Sequence, residues 1–209
     1  MKKVLSLGSV MLLLVLIFAS LMPTASAAPE IWDGKRAFAF AGGSGTKDDP
    51  WQISNGAELA YMAHVFNTTV LKDTGETYGH DYFVLTNDIY LNDVSNYDNW
   101  GLGKDAPANK WANPIGLGGY NFYEVIDGQG HTIYGFYQGG FGGGLFYGGM
   151  EGATLKNLNM EKSMIYAEAR AGALVSECWA TVSNCRVSAK VIGVSGDFIG
   201  GICGRNGGT

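Results

Sequence analysis

The stretch Ala153-Thr154-Leu155-Lys156-Asn157-Leu158-Asn159-Met160 returns 27 positions later as Ala180-Thr181-Val182-Ser183-Asn184-Cys185-Arg186-Val187. At the same offset Ile165 is matched by Ile192, and after one extra residue Gly172-Ala173-Leu174-Val175 is matched by Gly200-Gly201-Ile202-Cys203. A looser copy comes earlier, with Thr132-Ile133-Tyr134-Gly135-Phe136 leading into Gly143-Gly144-Leu145-Phe146. A period of roughly 20 to 50 residues marks units that stack on one another, because one unit alone has too little apolar surface to make a core.

Within each unit the apolar residues alternate in short runs broken by Gly, Asn or Ser, which is the pattern of strands. Leu155, Leu158 and Met160 cannot share one face of an unbroken strand, since 155 to 158 is an odd step. Asparagine tolerates the left-handed region better than most residues, so Asn157 and Asn184 are expected as matched corners in successive units. Gly144, Gly172 and Gly201 belong to the matching glycine positions, expected at positive-φ corners or close backbone approaches. If each unit is one rung, its aliphatic positions stack inward at about 4.8 Å per rung. The fold expected is all-β: a parallel β-helix, a solenoid of about three coils over residues 121–209. An irregular N-terminal capping region with one short α-helix, residues 28–120, precedes it.

Residues 1–27 read as a signal peptide. Lys2 and Lys3 precede an apolar run from Val10 to Leu21, and Ala25-Ser26-Ala27 is a small-residue cleavage site. The chain is therefore expected to be secreted or shown at the cell surface, with no membrane segment in its mature part. Without Lys2 and Lys3, 12 basic residues face 19 acidic ones, a net charge of −7. That balance argues against nucleic acid as a partner. The three cysteines, Cys178, Cys185 and Cys203, leave one disulfide open. Cys185 and Cys203, however, occupy the slots of Leu158 and Val175 and read first as small core residues.

Upstream of the repeats, Asn55-Gly56-Ala57-Glu58 has the form of a capping box, and Leu59, Met62, Ala63 and Phe66 follow at helical spacing. Such a helix would plug the open end of the stack. Tyr82-Phe83-Val84-Leu85 and Ile89-Tyr90-Leu91 read as strands. The polar segment from Asn92 to Asn113 is longer than compact domains usually leave without a reason.

Several motifs in order, Trp32-Asp33-Gly34, Asp49-Pro50-Trp51-Gln52-Ile53, Leu85-Thr86-Asn87-Asp88-Ile89, Pro114-Ile115-Gly116 and Ile126-Asp127-Gly128-Gln129-Gly130-His131-Thr132-Ile133, resemble the lead-in of exported bacterial proteins bearing GLUG repeats. Gly144-Leu145-Phe146 and Gly200-Gly201-Ile202-Cys203-Gly204 resemble the GLUG motif itself. The resemblance covers about residues 32–209. It implies a right-handed parallel β-helix in large modular surface proteins, regarded as adhesion modules, with some members in IgA-specific metallopeptidases. A departure comes at Asn206-Gly207-Gly208-Thr209, where a further Thr-aliphatic strand is expected, so the sequence reads as a fragment of a parent with further domains.

Catalysis finds little support in the residue types. His64, His80 and His131 include no pair with an adjacent Glu, which a zinc peptidase would need. Asp127, Glu151, Glu161, Glu168 and Glu177 do not recur between units as the paired carboxylates of a glycosidase would. Arg170, Arg186 and Arg205 lack the acidic cluster of a calcium-dependent lyase. Asp88, Asn92, Asp93, Asn96, Asp98 and Asn99 crowd oxygen atoms that would suit Ca²⁺, with Asp88, Asp93 and Asp98 as the acids. The EF-hand spacing is missing, so the segment reads first as a polar loop and no cofactor is expected. Aromatic density suggests sugar stacking, with Trp100, Trp111, Tyr120 and Tyr123 as the ligand-binding candidates. The function expected is non-catalytic adhesion to, or display toward, host or matrix glycans or proteins. The alternatives are a carbohydrate-active β-helix enzyme, a polysaccharide lyase or glycosidase, and a pure spacer.

Overall fold

A computed structural model describes residues 28–68, 81–116, 122–140, 142–149, 151–195 and 198–207. The expected signal peptide, Tyr120, His80 and the last two residues lie outside the described residues. Among the described residues the chain is mostly β with one α-helix, and the named strands pair with one another in parallel. No sheet of the described residues closes into a barrel. No helix among them is long and apolar enough to cross a membrane.

Strands of successive units pair in chain order. The first sheet runs β1 (Trp51–Ile53), β2 (Tyr82–Leu85), β4 (Val125–Asp127), β8 (Thr154–Lys156) and β12 (Thr181–Ser183). A second holds β3 (Ile89–Tyr90), β5 (Thr132–Tyr134), β9 (Asn159–Ala167) and β13 (Arg186–Gly193), with β6 (Tyr137–Gly140) also on β9. A third joins β7 (Phe146–Gly149), β11 (Val175–Cys178) and β15 (Cys203–Asn206), and β10 (Arg170–Gly172) pairs with β14 (Phe198–Gly200). The region before residue 121 thus contributes β1, β2 and β3 to the same sheets as the repeats.

The registers reproduce most of the repeat. Leu155 lies opposite Val182, Met160 opposite Val187, Gly172 opposite Gly200 and Val175 opposite Cys203. One match changes: Ile165 faces Val191 rather than Ile192, because β9 carries a bulge at Lys162, whose φ is 47°. The bulge turns Ser163 inward, where its Oγ donates to Glu161 O at 2.9 Å and accepts from Phe136 N–H at 3.1 Å. The looser copy begins earlier than its Thr132 suggests. Val125-Ile126-Asp127 aligns with Thr154-Leu155-Lys156, while Thr132 pairs with Asn159.

Asn157 and Asn184 are corners with φ of 53° and 51°. Asn184 Nδ2 donates to Asn157 Oδ1 at 2.6 Å, and Asn157 Nδ2 donates to Asp127 Oδ1 at 2.9 Å, so the corners form a polar ladder. At Gly144 and Gly172 an added Cβ would overlap backbone of the next unit, as expected of a close approach. Gly201 has no such role: its Cβ position is open, and the close approach falls on Gly200.

The helix, α1 (Gly56–Thr68), buries Leu59, Met62 and Ala63 against Ile53, Phe83 and Leu85 at the β1 end of the first sheet. Its cap is offset from the expected box. Asn55 Oδ1 accepts from Glu58 N–H at 3.0 Å, whereas Glu58 Oε2 reaches back to Ser54 N–H at 2.6 Å rather than to Asn55. One core runs from the helix through the repeats and includes Ile126, Ile133, Phe136, Leu155, Met160 and Leu174.

All three cysteines are free thiols packed in or against this core. A hydrogen bond from the Cys203 thiol draws Cys178 down to about 7 against the effect of burial, and the same contact pushes Cys203 up.

Candidate functional site

The long polar segment after β3 is a closed loop, and two asparagines close it. Buried Asn92 donates from Nδ2 to Asn109 O and Gly135 O, both at 2.8 Å, and accepts Asn109 N–H at 2.8 Å. Asn109 Nδ2 donates in turn to Leu91 O at 2.9 Å and to Trp32 O. Between them the chain makes two single 3₁₀ turns, Tyr97–Asn99 and Gly103–Asp105, and lays Trp100 over Tyr137 and Met164 on the outer face of β6 and β9. Tyr97 Oη donates to Ser163 O at 3.1 Å, and Tyr137 Oη to Gly101 O at 3.0 Å. Lys190 reaches across from β13 and donates to the carbonyls of Tyr97, Asp98 and Trp100 at 2.9 to 3.3 Å. This loop is the reason for the unusual length.

A cleft of about 400 Å³ opens between the two limbs of the loop, walled by Asn96, Asn99, Asp93, Asp105 and Trp100, with Ile31 at its rim. Its volume is in the range of small-molecule sites. The wall offers amide donors and acceptors and carboxylate acceptors beside an apolar ring. The Ser95 N–H bonded to Asp93 holds that carboxyl below its ordinary value, so it stays an anion and an acceptor. A second cleft of about 370 Å³ lies between α1 and residues 110–113, with Arg36, Lys110 and His64 around Trp32 and Trp111.

The structure relocates the expected binding aromatics. Trp100 and Trp111 are only 7% and 5% exposed, spent on packing against Tyr97 and Tyr137 and against Trp32 and Phe136 respectively. Neither offers a free face for a sugar, although each contributes to a cleft wall. Tyr123 remains at the surface, and Tyr120 is outside the described residues. A half-buried aromatic pair arises where spacing could not show it: Tyr90 and Tyr134 stack at 4.6 Å because β3 and β5 are neighbours in register.

The three acids proposed for calcium do not converge. Asp88 Oδ1 takes Thr132 N–H at 2.9 Å and the His131 ring at 3.2 Å, on the far side of β3 from the cleft. Asp93 is in the cleft, whereas Asp98 is not among its walls. Among the described residues no group of three or more His, Cys, Asp or Glu is placed to hold a metal ion. Of the carboxylates weighed for hydrolysis, Asp127 is paired with Lys156, Glu161 with Arg186, and Glu177 with Arg170. The perturbed acid is one that the repeat pattern does not mark: Glu124, buried just before β4, is pushed up to about 8 by burial, with the charge of Asp81 adding to the effect. Asp81 precedes β2 and its carbonyl accepts Val125 N–H at 3.0 Å, so the two acids sit just before the starts of neighbouring strands.

No family model, no characterised protein and no solved structure matches this chain.

Proposed function

We propose that the chain is an exported right-handed parallel β-helix of the GLUG-repeat kind, a non-catalytic surface module that binds host or matrix glycans through the cleft of the 92–109 loop. The four parallel ladders, each joining corresponding strands in chain order, support the architecture. The residues matched to the GLUG pattern support the family reading, and the basic, apolar and small-residue order of residues 1–27 supports export. The observation that carries the binding role is the cleft wall. Sugars are recognised by planar amides and carboxylates that accept and donate to hydroxyls next to an apolar surface, and Asn96, Asn99, Asp93 and Asp105 supply these on a loop held by Asn92, Asn109 and Lys190.

The test is a glycan and matrix-protein array probed with the folded protein, with and without Ca²⁺. Saturable glycan binding is expected, weakened about tenfold in Asn96→Ala or Asn99→Ala, the loss of roughly one hydrogen bond to a buried hydroxyl. Trp111→Phe, outside this cleft, should leave it unchanged. A folded protein that binds no glycan refutes the reading and leaves the spacer role.

One observation favours a second reading, a carbohydrate-active enzyme: Glu124 is kept protonated near neutral pH beside a second carboxyl group, that of Asp81, as a general acid requires. Release of reducing ends from polysaccharides, abolished by Glu124→Gln, would establish it in place of the non-catalytic role.

A further inference from the structure

The free end of the stack differs from every interior layer. Leu155, Met160, Ser163, Ile165 and Val175 are wholly buried, yet their register partners Val182, Val187, Ala189, Val191 and Cys203 are only half-buried. Of nine exposed large apolar residues among the described ones, five lie on this last unit: Ile192, Val194, Phe198, Ile199 and Ile202, with Val194 reaching 55%. Ile199 is 42% exposed, whereas Ala171, its register partner one unit earlier, is fully buried. A contiguous apolar end of this kind, edged by unpaired strand groups, marks an interaction surface.

The chain itself shows what such a surface accepts. The same face of the preceding unit, presented by β8, β9, β10 and β11, is covered by β12, β13, β14 and β15 in parallel register. The corner ladder adds polarity. Each asparagine turns its Nδ2 back to the oxygen of the unit before it, Asn157 to Asp127 and Asn184 to Asn157. Among the described residues Asn184 Oδ1 takes no donor. A second copy placed across a two-fold axis would reverse the sense in which its chain circles, so the ladders could not all continue in parallel as they do between the units here.

We infer that the face formed by β12, β13, β14 and β15 is an assembly interface for one more repeat unit of the same kind, docked in parallel with a corner asparagine donating to Asn184 Oδ1; this rests on the β-helix reading above. The occupant is an extended segment of Thr-aliphatic-X-Asn type whose inward residues cover Val182, Val187 and Val191.

The experiment compares the full chain with the full chain extended past Thr209 by a copy of residues 182–207. Hydrogen exchange is followed on β13, and labelling by a thiol reagent under native conditions on Cys185 and Cys203. In the extended protein both are expected to slow at least tenfold, an effect absent with a scrambled extension of equal composition and reduced in extended Asn184→Ala. Unchanged exchange and labelling in the extended protein would overturn the inference. So would protection of β13 in the unextended chain that grows with concentration as the mass doubles, since a second copy would then own the face. If instead β9 exchanges no more slowly than β13 in the unextended chain, it is the β-helix reading that fails.

Discussion

Asn157 concentrates the corner chemistry in one side chain. Its backbone occupies the left-handed region at φ 53°, and its amide links Asp127 below to Asn184 above. Burial alone would raise the Asp127 carboxyl, but the hydrogen bonds from Asn157, the Gln129 N–H and Lys156 hold it below its ordinary value. Alanine at 157 loses both the conformational tolerance and the ladder, and is expected to cost about 2–3 kcal/mol in urea unfolding. Glycine keeps the backbone and loses only the hydrogen bonds, so Asn157→Gly should cost about 1 kcal/mol. Equal losses would show that the corner geometry is not what asparagine contributes. The residue type and its 27-residue repetition announce this corner, because positive φ is a local steric preference.

At the level of elements, the 92–109 loop shows how a polar segment without regular structure is held. Its backbone groups are satisfied by Asn92 and Asn109 at the neck and by Lys190 at the tip. Trp100 supplies the apolar anchor over Met164. Lys190→Ala leaves three carbonyls without their cationic donor. It is expected to lower stability by about 1 kcal/mol, as befits a half-exposed charge, and, by loosening the cleft, to weaken the glycan binding proposed for it. Lys190→Met, which keeps the stem, should show the same loss if the hydrogen bonds matter and none if the stem packing does. Unfolding midpoints of the two variants separate these outcomes. Composition exposes the loop as long and polar, but its closure depends on contacts from Asn92 to Gly135 and from Lys190 to Tyr97, more than 40 and 90 residues away.

For the molecule as a whole, pH dependence turns on Glu124. Its folded pKa, about 8, lies above the ordinary carboxylate value, so the folded state holds a proton that the unfolded chain has lost. Stability from this group is therefore full below about pH 4 and falls as pH rises toward 8, at up to roughly 1.4 kcal/mol per pH unit. Glu124→Gln should flatten that slope and make the protein more stable than the parent at pH 8. A slope unchanged by the substitution would mean that the carboxyl is solvated in solution. No repeat or motif flags Glu124. Its shift comes from burial beside Asp81, which the pairing of β2 with β4 creates.

Repetition, alternation and corner residues, read from the sequence alone, determined the β character and the parallel pairing of units, and Asn55 to Glu58 with the helical spacing after them determined the N-terminal helix. These follow from periods and local preferences carried by short segments. The tertiary structure alone decided which side chains face a cleft. Trp100 and Trp111 have the composition of a sugar platform, yet packing against Tyr137 and Phe136 withdraws them. Tyr90 and Tyr134 become a stacked, half-buried pair only because two strands whose paired residues are 44 positions apart lie in register. The bulge at Lys162, which moves Ile165 from Ile192 to Val191, is likewise set by a tertiary demand, the burial of Ser163 against Phe136. Local sequence specifies the strands and corners because their geometry is short-range; the site depends on which strands meet, and that is settled only when the sheets together bury their core.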